Sequence, residues 1–524
     1  MGQYTFTVIR NTAANYVSLL WRMFAAIFLV RFLFIGLGSE NYGFWTLLWV
    51  VFGYSLMLDF GFGQTIQKIT AETVIDHDLT RLNRIFSSIV AVYALMGVLI
   101  LLGTLAIAPV LQKIFTFTAA SPEQLAYLRS VFILFGTGAA LVFPTGIFPE
   151  ILAGLKRYDI KNYALLFNIT LQLVGIYLLL KCGFSLMALA VFCALLNLTT
   201  NFIMAVGVYR LLPGFHLSFR LIKYQAFQEI SAFSTFAYLL NLSRLMMGRC
   251  DKIVLGIILG MNAVSVYQIG TRLSELMEKL TTQFQDTLGS MAASYYKQNN
   301  WEALKWVMLK SGKVTAFITC GAVMILFLLA PPILQIWLKV QGGSTVFITR
   351  VALLILGFNI LFRSAPEKLL LMSGQHKKIA TVALVESLVC LGLSIPLVYV
   401  FGVRGIVWAP LLPTLVITFF VTLPLLSQEF HLPLFFYLRH VFMPLPLMLL
   451  PPIVVLLAMT HWLPPTRWNL WWLGMAAATG GTFYTLLGFR CYLSTAERKQ
   501  VLTRIRQKFM RRQPASKAPS PEDN

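Results

Sequence analysis

Apolar stretches of about 20 residues recur along the whole chain, the length that crosses a bilayer as an α-helix. They predict fourteen spans: 13–37, 44–67, 85–111, 128–153, 162–181, 186–209, 229–259, 265–290, 314–337, 347–372, 380–400, 405–426, 441–462 and 469–490. The polar connections between them alternate in character. One set is short and poor in cations: 38–43, 112–127, 182–185, 260–264, 338–346, 401–404 and 463–468. The other set carries Lys68, Arg81 and Arg84, then Lys156, Arg157 and Lys161, then Arg210, Arg220 and Lys223. It continues with Lys297, Lys305, Lys310 and Lys313, then Lys377 and Lys378, and finally Arg439.

With Arg10 and the cations from Arg490 to Lys517, about 26 of the 42 basic residues fall on that second side. About 7 fall on the opposite face and about 9 within spans. Basic residues gather on the cytoplasmic side, so both termini are expected in the cytoplasm. Met1–Arg10 is short and polar, and the first apolar run is expected to open the bundle itself. Beyond the last span, Ser494 and Glu497 have capping-box spacing, and Val501, Leu502, Ile505 and Phe509 recur at helical intervals among seven basic residues. That segment predicts a helix lying on anionic inner-leaflet lipids, or docking a partner. Pro514–Asn524 is Pro/Ser-rich and expected to be disordered.

Composition agrees with the pattern. Of 524 residues, 58% are hydrophobic and 12% charged, about half the charge of a soluble domain. The pI near 9.8 would suggest nucleic acid in a soluble protein, but the cytoplasmic cation bias accounts for it here, and no nucleic-acid partner is expected. The six cysteines are scattered without CxxC spacing, and the six histidines form no HxxxH or HExxH pattern. Neither metal nor cofactor is expected.

Sliding the chain against itself by 222 residues brings the first nine predicted helices into register. Gly38 meets Gly260, Trp45 meets Tyr267, Ala71 meets Ala293, and Ala108-Pro109 meets Ala330-Pro331. Farther on the offset slips, pairing Gly154 with Gly374, Gly183 with Gly402 and Ala190 with Ala409. Six spans per unit is an even number, so the two copies run parallel, with a substrate site expected between them. The expected organisation is an N-terminal lobe 11–209, a cytoplasmic linker 210–228, a C-terminal lobe 229–427, two additional helices within 436–490, and a basic tail 491–524. This is a transporter's architecture and not an enzyme's. No GxxxxGK[ST] loop marks an ATP-driven pump. No outward loop is long enough for the catalytic residues of a lipid-linked-sugar polymerase or ligase. The GxxxDRxGRR-like loop of the major facilitator superfamily is replaced by Gln67-Lys68-Ile69-Thr70-Ala71-Glu72.

Three short motifs add a family signal. Leu37-Gly38-Ser39-Glu40-Asn41-Tyr42-Gly43 resembles the LGxxxYG turn of polysaccharide transporters. Leu58-Asp59-Phe60-Gly61-Phe62-Gly63 resembles their LDxGxG ending to the second span, and Gly154-Leu155-Lys156-Arg157 the basic loop after their fourth. Together these resemble the Wzx-type oligosaccharide flippases of the MATE-like superfamily. The resemblance implies an all-α fold of two six-helix lobes that rock to open a central cavity to each side. It implies transfer of an undecaprenyl-diphosphate-linked oligosaccharide between leaflets for O-antigen, capsule or exopolysaccharide assembly, with a polysaccharide polymerase and assembly proteins as partners. A multidrug or small-metabolite exporter of the same superfamily is the alternative.

Charged residues at span depth point to a wet cavity or a partner, since each costs about 2.5–3.5 kcal/mol or more there. Arg22 and Arg31 lie in the first span, and Arg244, Arg249, Asp251 and Lys252 in the seventh; Arg22 and Arg244 are repeat-equivalent. Arg272, Glu275, Lys279 and Asp286 share one helical face of the eighth span, beside Gln268 and Gln283. Asn359, Arg363 and Glu367 follow at i, i+4, i+8 in the tenth. Arg22, Arg244, Arg272, Lys279 and Arg363 are therefore candidate diphosphate ligands, since a guanidinium matches phosphate with two parallel hydrogen bonds. Asp251, Glu275 and Glu367 are candidate coupling or ion-pair residues, and structural pairing of Arg272 with Glu275, Glu275 with Lys279 and Arg363 with Glu367 is the competing reading. Asp59 could pair with the first helix, bind a coupling cation or cap a helix.

Overall fold

The first two predicted spans begin as one helical rod, α1 (Gly2–Gly53), bent at a single residue. Gly38 there has φ 77°, a left-handed conformation open to glycine because it has no Cβ. The computed structural model describes residues 2–53, 62–76, 78–117, 121–222, 250–298, 300–340, 343–364, 376–430, 441–462 and 468–491, with isolated positions 366, 367, 370, 439, 498 and 503. Every regular element among them is helical.

After α1 come α2 (Phe62–Asp76), α3 (Leu79–Ile107), α4 (Leu111–Ile114), α5 (Pro122–Val142), α6 (Ile147–Gly154), α7 (Tyr158–Lys181) and α8 (Leu186–Leu211). A helical run over 250–258 leads to α9 (Met261–Lys297), α10 (Trp301–Leu328), α11 (Ala330–Leu338), α12 (Gly343–Phe358) and α13 (His376–Phe401). The series closes with α14 (Leu411–Ile417), α15 (Leu423–Phe430), α16 (Leu445–Trp462) and α17 (Leu470–Cys491). Ten stretches among the described residues are long and apolar enough to cross a membrane. The charged face of α9 keeps the eighth predicted span out of that group, and most of the seventh lies outside the described residues, as do the LDxG residues 58–61 and nearly all of the basic tail.

Helix ends repeat along the chain more faithfully than side chains do. Asp78 caps α3, accepting a hydrogen bond from the Arg81 amide at 2.9 Å, and Asn300 caps α10, accepting from Ala303 at 3.0 Å. These caps are 222 residues apart and share nearly one backbone conformation (φ −90°, ψ 76° and φ −88°, ψ 80°). Either side chain satisfies an amide that the first turn of a helix leaves unpaired. Gly38 and Gly260, with φ 77° and 86°, are another such pair, as are Gly183 and Gly402, with φ 77° and 61°. Beyond α3 and α10, Ala108-Pro109 and Ala330-Pro331 each open a further helical segment.

The chain divides into two compact units. The first comprises Met1–Leu280, Trp337–Ile355 and Leu370–Val421. In it α1 lies along α7, α3 and α8 flank α5, and α2 packs on α6. The last contact explains the glycine of the Gly154 motif, because a Cβ there would sit 2.5 Å from Thr70 Cβ and 2.7 Å from the Gln67 carbonyl. Residues 212–222 are strapped onto α3: Asn83 donates to the Gly214 carbonyl at 3.0 Å, and the Ser218 amide donates to Ser87 Oγ at 3.0 Å. Phe86, Leu82, Ile85 and Ile89 of α3 are fully buried in this unit.

The second unit comprises Thr281–Ile336, Leu356–Leu369 and Thr422–Asn524. Here α16 and α17 pack against α10. The contact face of α17 is Ala476, Gly480, Tyr484 and Gly488, one per turn and all buried. A Cβ at Gly488 would lie 2.2 Å from the Phe317 ring, and the Tyr484 hydroxyl donates to the Phe317 carbonyl at 2.8 Å. Small residues allow backbones to approach where lipid offers no hydrophobic drive for helices to associate.

Candidate functional site

Of the charged residues expected on one face of α9, Arg272, Glu275 and Lys279 are described, and the first unit gathers partners around them. Glu275 is the centre. Its Oε2 accepts from Arg272 Nη1 at 3.0 Å, and its Oε1 accepts from Lys252 Nζ at 3.3 Å. The Gln268 amide reaches both oxygens at 3.5 Å. Lys279, one turn beyond Glu275, is exposed and has no ion-pair partner among the described residues. It lies within electrostatic reach of Arg272, Glu275, Arg22 and Glu278. Arg22 is exposed, although Ser18, Ala25, Leu29 and Leu33 on the same stripe of α1 are buried. Arg22, Lys252, Arg272 and Lys279 thus form a cationic group supplied by three helical segments.

Beside this cluster, Asp251 is buried and hydrogen-bonded by hydroxyls. Tyr267 donates to its Oδ2 at 2.7 Å and Ser394 to its Oδ1 at 3.3 Å. Tyr42, from the LGxxxYG-like turn, is buried within electrostatic reach of Arg272 and Glu275. Both glycines of that turn have structural reasons: Gly38 bends α1, and a Cβ at Gly43 would fall 1.9 Å from the Met261 carbonyl at the start of α9. The turn therefore sets the first helix against the charged one.

Of the expected pairs, Arg272 with Glu275 forms, and so does Arg363 with Glu367. The pair of Glu275 with Lys279 does not; Lys252, from the neighbouring segment, takes that place. Arg363 and Glu367 belong to the second unit, where α12 passes into a π-helical stretch at Asn359–Ser364. Arg31 Nη1 donates to the Trp337 carbonyl. Arg244, Arg249 and Asp59 lie outside the described residues, as do the side chains at 283 and 286.

Sequence reasoning missed Tyr42, Tyr267 and Ser394, whose hydroxyls are unremarkable in a membrane chain. It also missed Glu386, fully buried on α13, which accepts from Thr414 Oγ1 at 3.0 Å. An acidic residue in the middle of an apolar span was the available signal.

Many apolar helices around a polar, cation-rich cluster define a polytopic membrane protein with the fold of the MOP superfamily. A lipid II flippase MurJ structure in an inward closed conformation aligns with TM-score 0.70 and 13% identity, covering 92% of this chain and 99% of its own. An inward-facing MATE-family multidrug resistance transporter aligns with TM-score 0.64 and 17% identity, over 79% of this chain and 94% of its own. A MOP-superfamily transporter from Pyrococcus furiosus, described as having a binding pocket of reversed polarity, follows with TM-score 0.55 and 16% identity, over 79% and 94%. No curated protein matches the sequence. Residues 28–341 match the family model described as polysaccharide biosynthesis protein, and the chain belongs to that family.

Proposed function

We propose that the protein is a flippase that carries undecaprenyl-diphosphate-linked oligosaccharide from the inner to the outer leaflet of a bacterial cytoplasmic membrane. The observation that carries this reading is the group Arg22, Lys252, Arg272 and Lys279, with Lys279 unpaired among the described residues and Arg22 exposed. Cations at span depth are expensive unless something anionic meets them, and a diphosphate is such a ligand. An exporter of organic cations would call for the opposite sign. Family membership in polysaccharide biosynthesis supports the glycan end of the substrate, and the neighbouring MurJ fold supports a lipid carrier.

In this reading the chain has fourteen spans with both termini cytoplasmic, in lobes 11–209 and 229–427. Arg244 brings to the second lobe what Arg22 brings to the first, and Arg363 is a further candidate ligand. The lobes rock, and no bond in the glycan is made or broken. A polysaccharide polymerase takes up the delivered substrate.

The test is a deletion strain without a paralogue. Loss of surface glycan, with lipid-linked intermediate accumulating on the cytoplasmic side, is expected. Intact glycan with raised drug sensitivity would favour the multidrug exporter instead.

A further inference from the structure

Glu275 is held by an unusually rich set of donors. One of its oxygens takes an ammonium and the other a guanidinium, while an amide reaches both. These are the donor types that bind phosphate oxygens. Accessibility runs in a telling order: the Glu275 side chain is 31% exposed, that of Arg272 19% and that of Lys252 10%. The glutamate side chain is thus the most accessible of the trio. Without it, two largely buried cations would face each other with no counter-charge, an arrangement that is strongly unfavourable away from water.

An ion pair needed only for helix stability would be complete with Arg272, three residues away on the same helix. Glu275 also binds Lys252 from the preceding segment, so two cations share one carboxylate. Arg272 is meanwhile under-used. Of its five donors, Nη1 is engaged, and Nε is buried with no hydrogen-bond partner among the described residues. The group holds more donor capacity than its own acid consumes.

Resting on the flippase reading above, we propose that Glu275 is a resident counter-ion, which holds the anion place between Lys252 and Arg272 in the empty carrier and is displaced by the diphosphate of the substrate. On loading, the two cations exchange a carboxylate for phosphate oxygens. On release the carboxylate returns, so the empty carrier never crosses with bare cations. The competition holds affinity down, so that a ligand with two phosphates can still leave at the far side.

The experiment compares wild type and Glu275→Gln, purified in detergent, for binding of undecaprenyl diphosphate and of undecaprenol, together with transport in proteoliposomes. Removing the competing charge should tighten undecaprenyl diphosphate binding about tenfold and leave undecaprenol binding unchanged, while turnover falls. Excess inorganic pyrophosphate should compete better in the variant than in wild type. Equal or weaker undecaprenyl diphosphate binding by Glu275→Gln overturns the counter-ion and marks Glu275 as a structural partner. If wild type itself does not prefer undecaprenyl diphosphate to undecaprenol, the flippase reading fails, and the counter-ion falls with it. Should Glu275→Gln not insert, Glu275→Asp keeps the charge but shortens its reach. It is expected to bind more tightly than wild type, and binding no tighter overturns the proposal.

Discussion

Arg31 and Trp337 hold each other's helices through backbone carbonyls. Arg31 Nη1 donates to the Trp337 carbonyl at 2.6 Å, and the Trp337 indole donates to the carbonyl of Ile27, one turn before Arg31, at 3.0 Å. A second clasp has the same logic. The Thr116 amide donates to the Gly256 carbonyl at 3.0 Å and its hydroxyl to the Ile257 carbonyl at 2.8 Å. Phe115 and Trp337 are repeat-equivalent, so each clasp runs from the end of one third-helix extension to the first helix of the other half. Both sit toward the cation-poor face.

These clasps should act as a gate that opens when the site turns outward. With the six native cysteines replaced, Thr116→Cys combined with Ile257→Cys should cross-link under oxidation and halt transport, and reduction should restore it. Undiminished transport by the fully cross-linked protein would show that this face does not open.

Arg22→Ala and Arg244→Ala should each lose most transport, because a charge-assisted hydrogen bond contributes about 1.5–3 kcal/mol. Arg22→Lys keeps the charge without the two-pronged geometry and should retain partial activity. Surface glycan in a complemented deletion strain, at near-native expression, measures each. Wild-type glycan from both alanine variants would move the phosphate site to Lys252, Arg272 and Lys279 alone, or to Arg363.

Gly43→Ala should destabilise the fold, since its Cβ would stand 1.9 Å from a backbone oxygen that cannot rotate away. Overpacking of this kind costs about 1–3 kcal/mol. Thermal unfolding of the purified variant should shift downward, whereas Gly103→Ala, at a position open within 4 Å, should not. An unchanged midpoint for Gly43→Ala would show that α1 and α9 do not meet so closely.

Reporter fusions at Gln341 and Ser427 should report opposite sides of the membrane, outside and inside respectively. The same side for both would break the fourteen-span topology.

A peptide of residues 494–512 should gain helicity on anionic vesicles, and the gain should fade as salt screens the headgroups. No gain would remove the inner-leaflet role of the tail.

How much of this was legible beforehand depended on the scale of the signal. Helix type and placement were readable because hydropathy is set span by span. Recurring glycine and Ala-Pro positions suggest the repeat, and helix ends recur at the same spacing, with matching caps at Asp78 and Asn300 that hydropathy does not reveal. The extension of α3 to Leu79 and of α10 to Trp301 was hidden, because polar first turns stand beyond any apolar run. Within the site, Arg272 and Glu275 could be paired from helical spacing alone. Lys252 could not be assigned to Glu275, since which segment faces which is settled by packing between helices. Tyr42 marks the same limit: its motif suggested a family, and only the approach of α1 to α9 gave it a place beside Arg272.

The glycine face of α17 carries a consequence for anyone trimming the chain. The MATE-family match spans 79% of this protein and the MurJ match 92%, which invites the idea that the final hairpin is an optional appendage. The interlock argues otherwise. Phe317 of α10 fills the hollow that Gly488 leaves, and its carbonyl holds the Tyr484 hydroxyl. A chain cut after residue 430 would leave that aromatic ring facing acyl chains of no fixed shape, with a polar carbonyl beside it. The hairpin is the missing wall of its own neighbour, and a shortened protein would be an unfinished one.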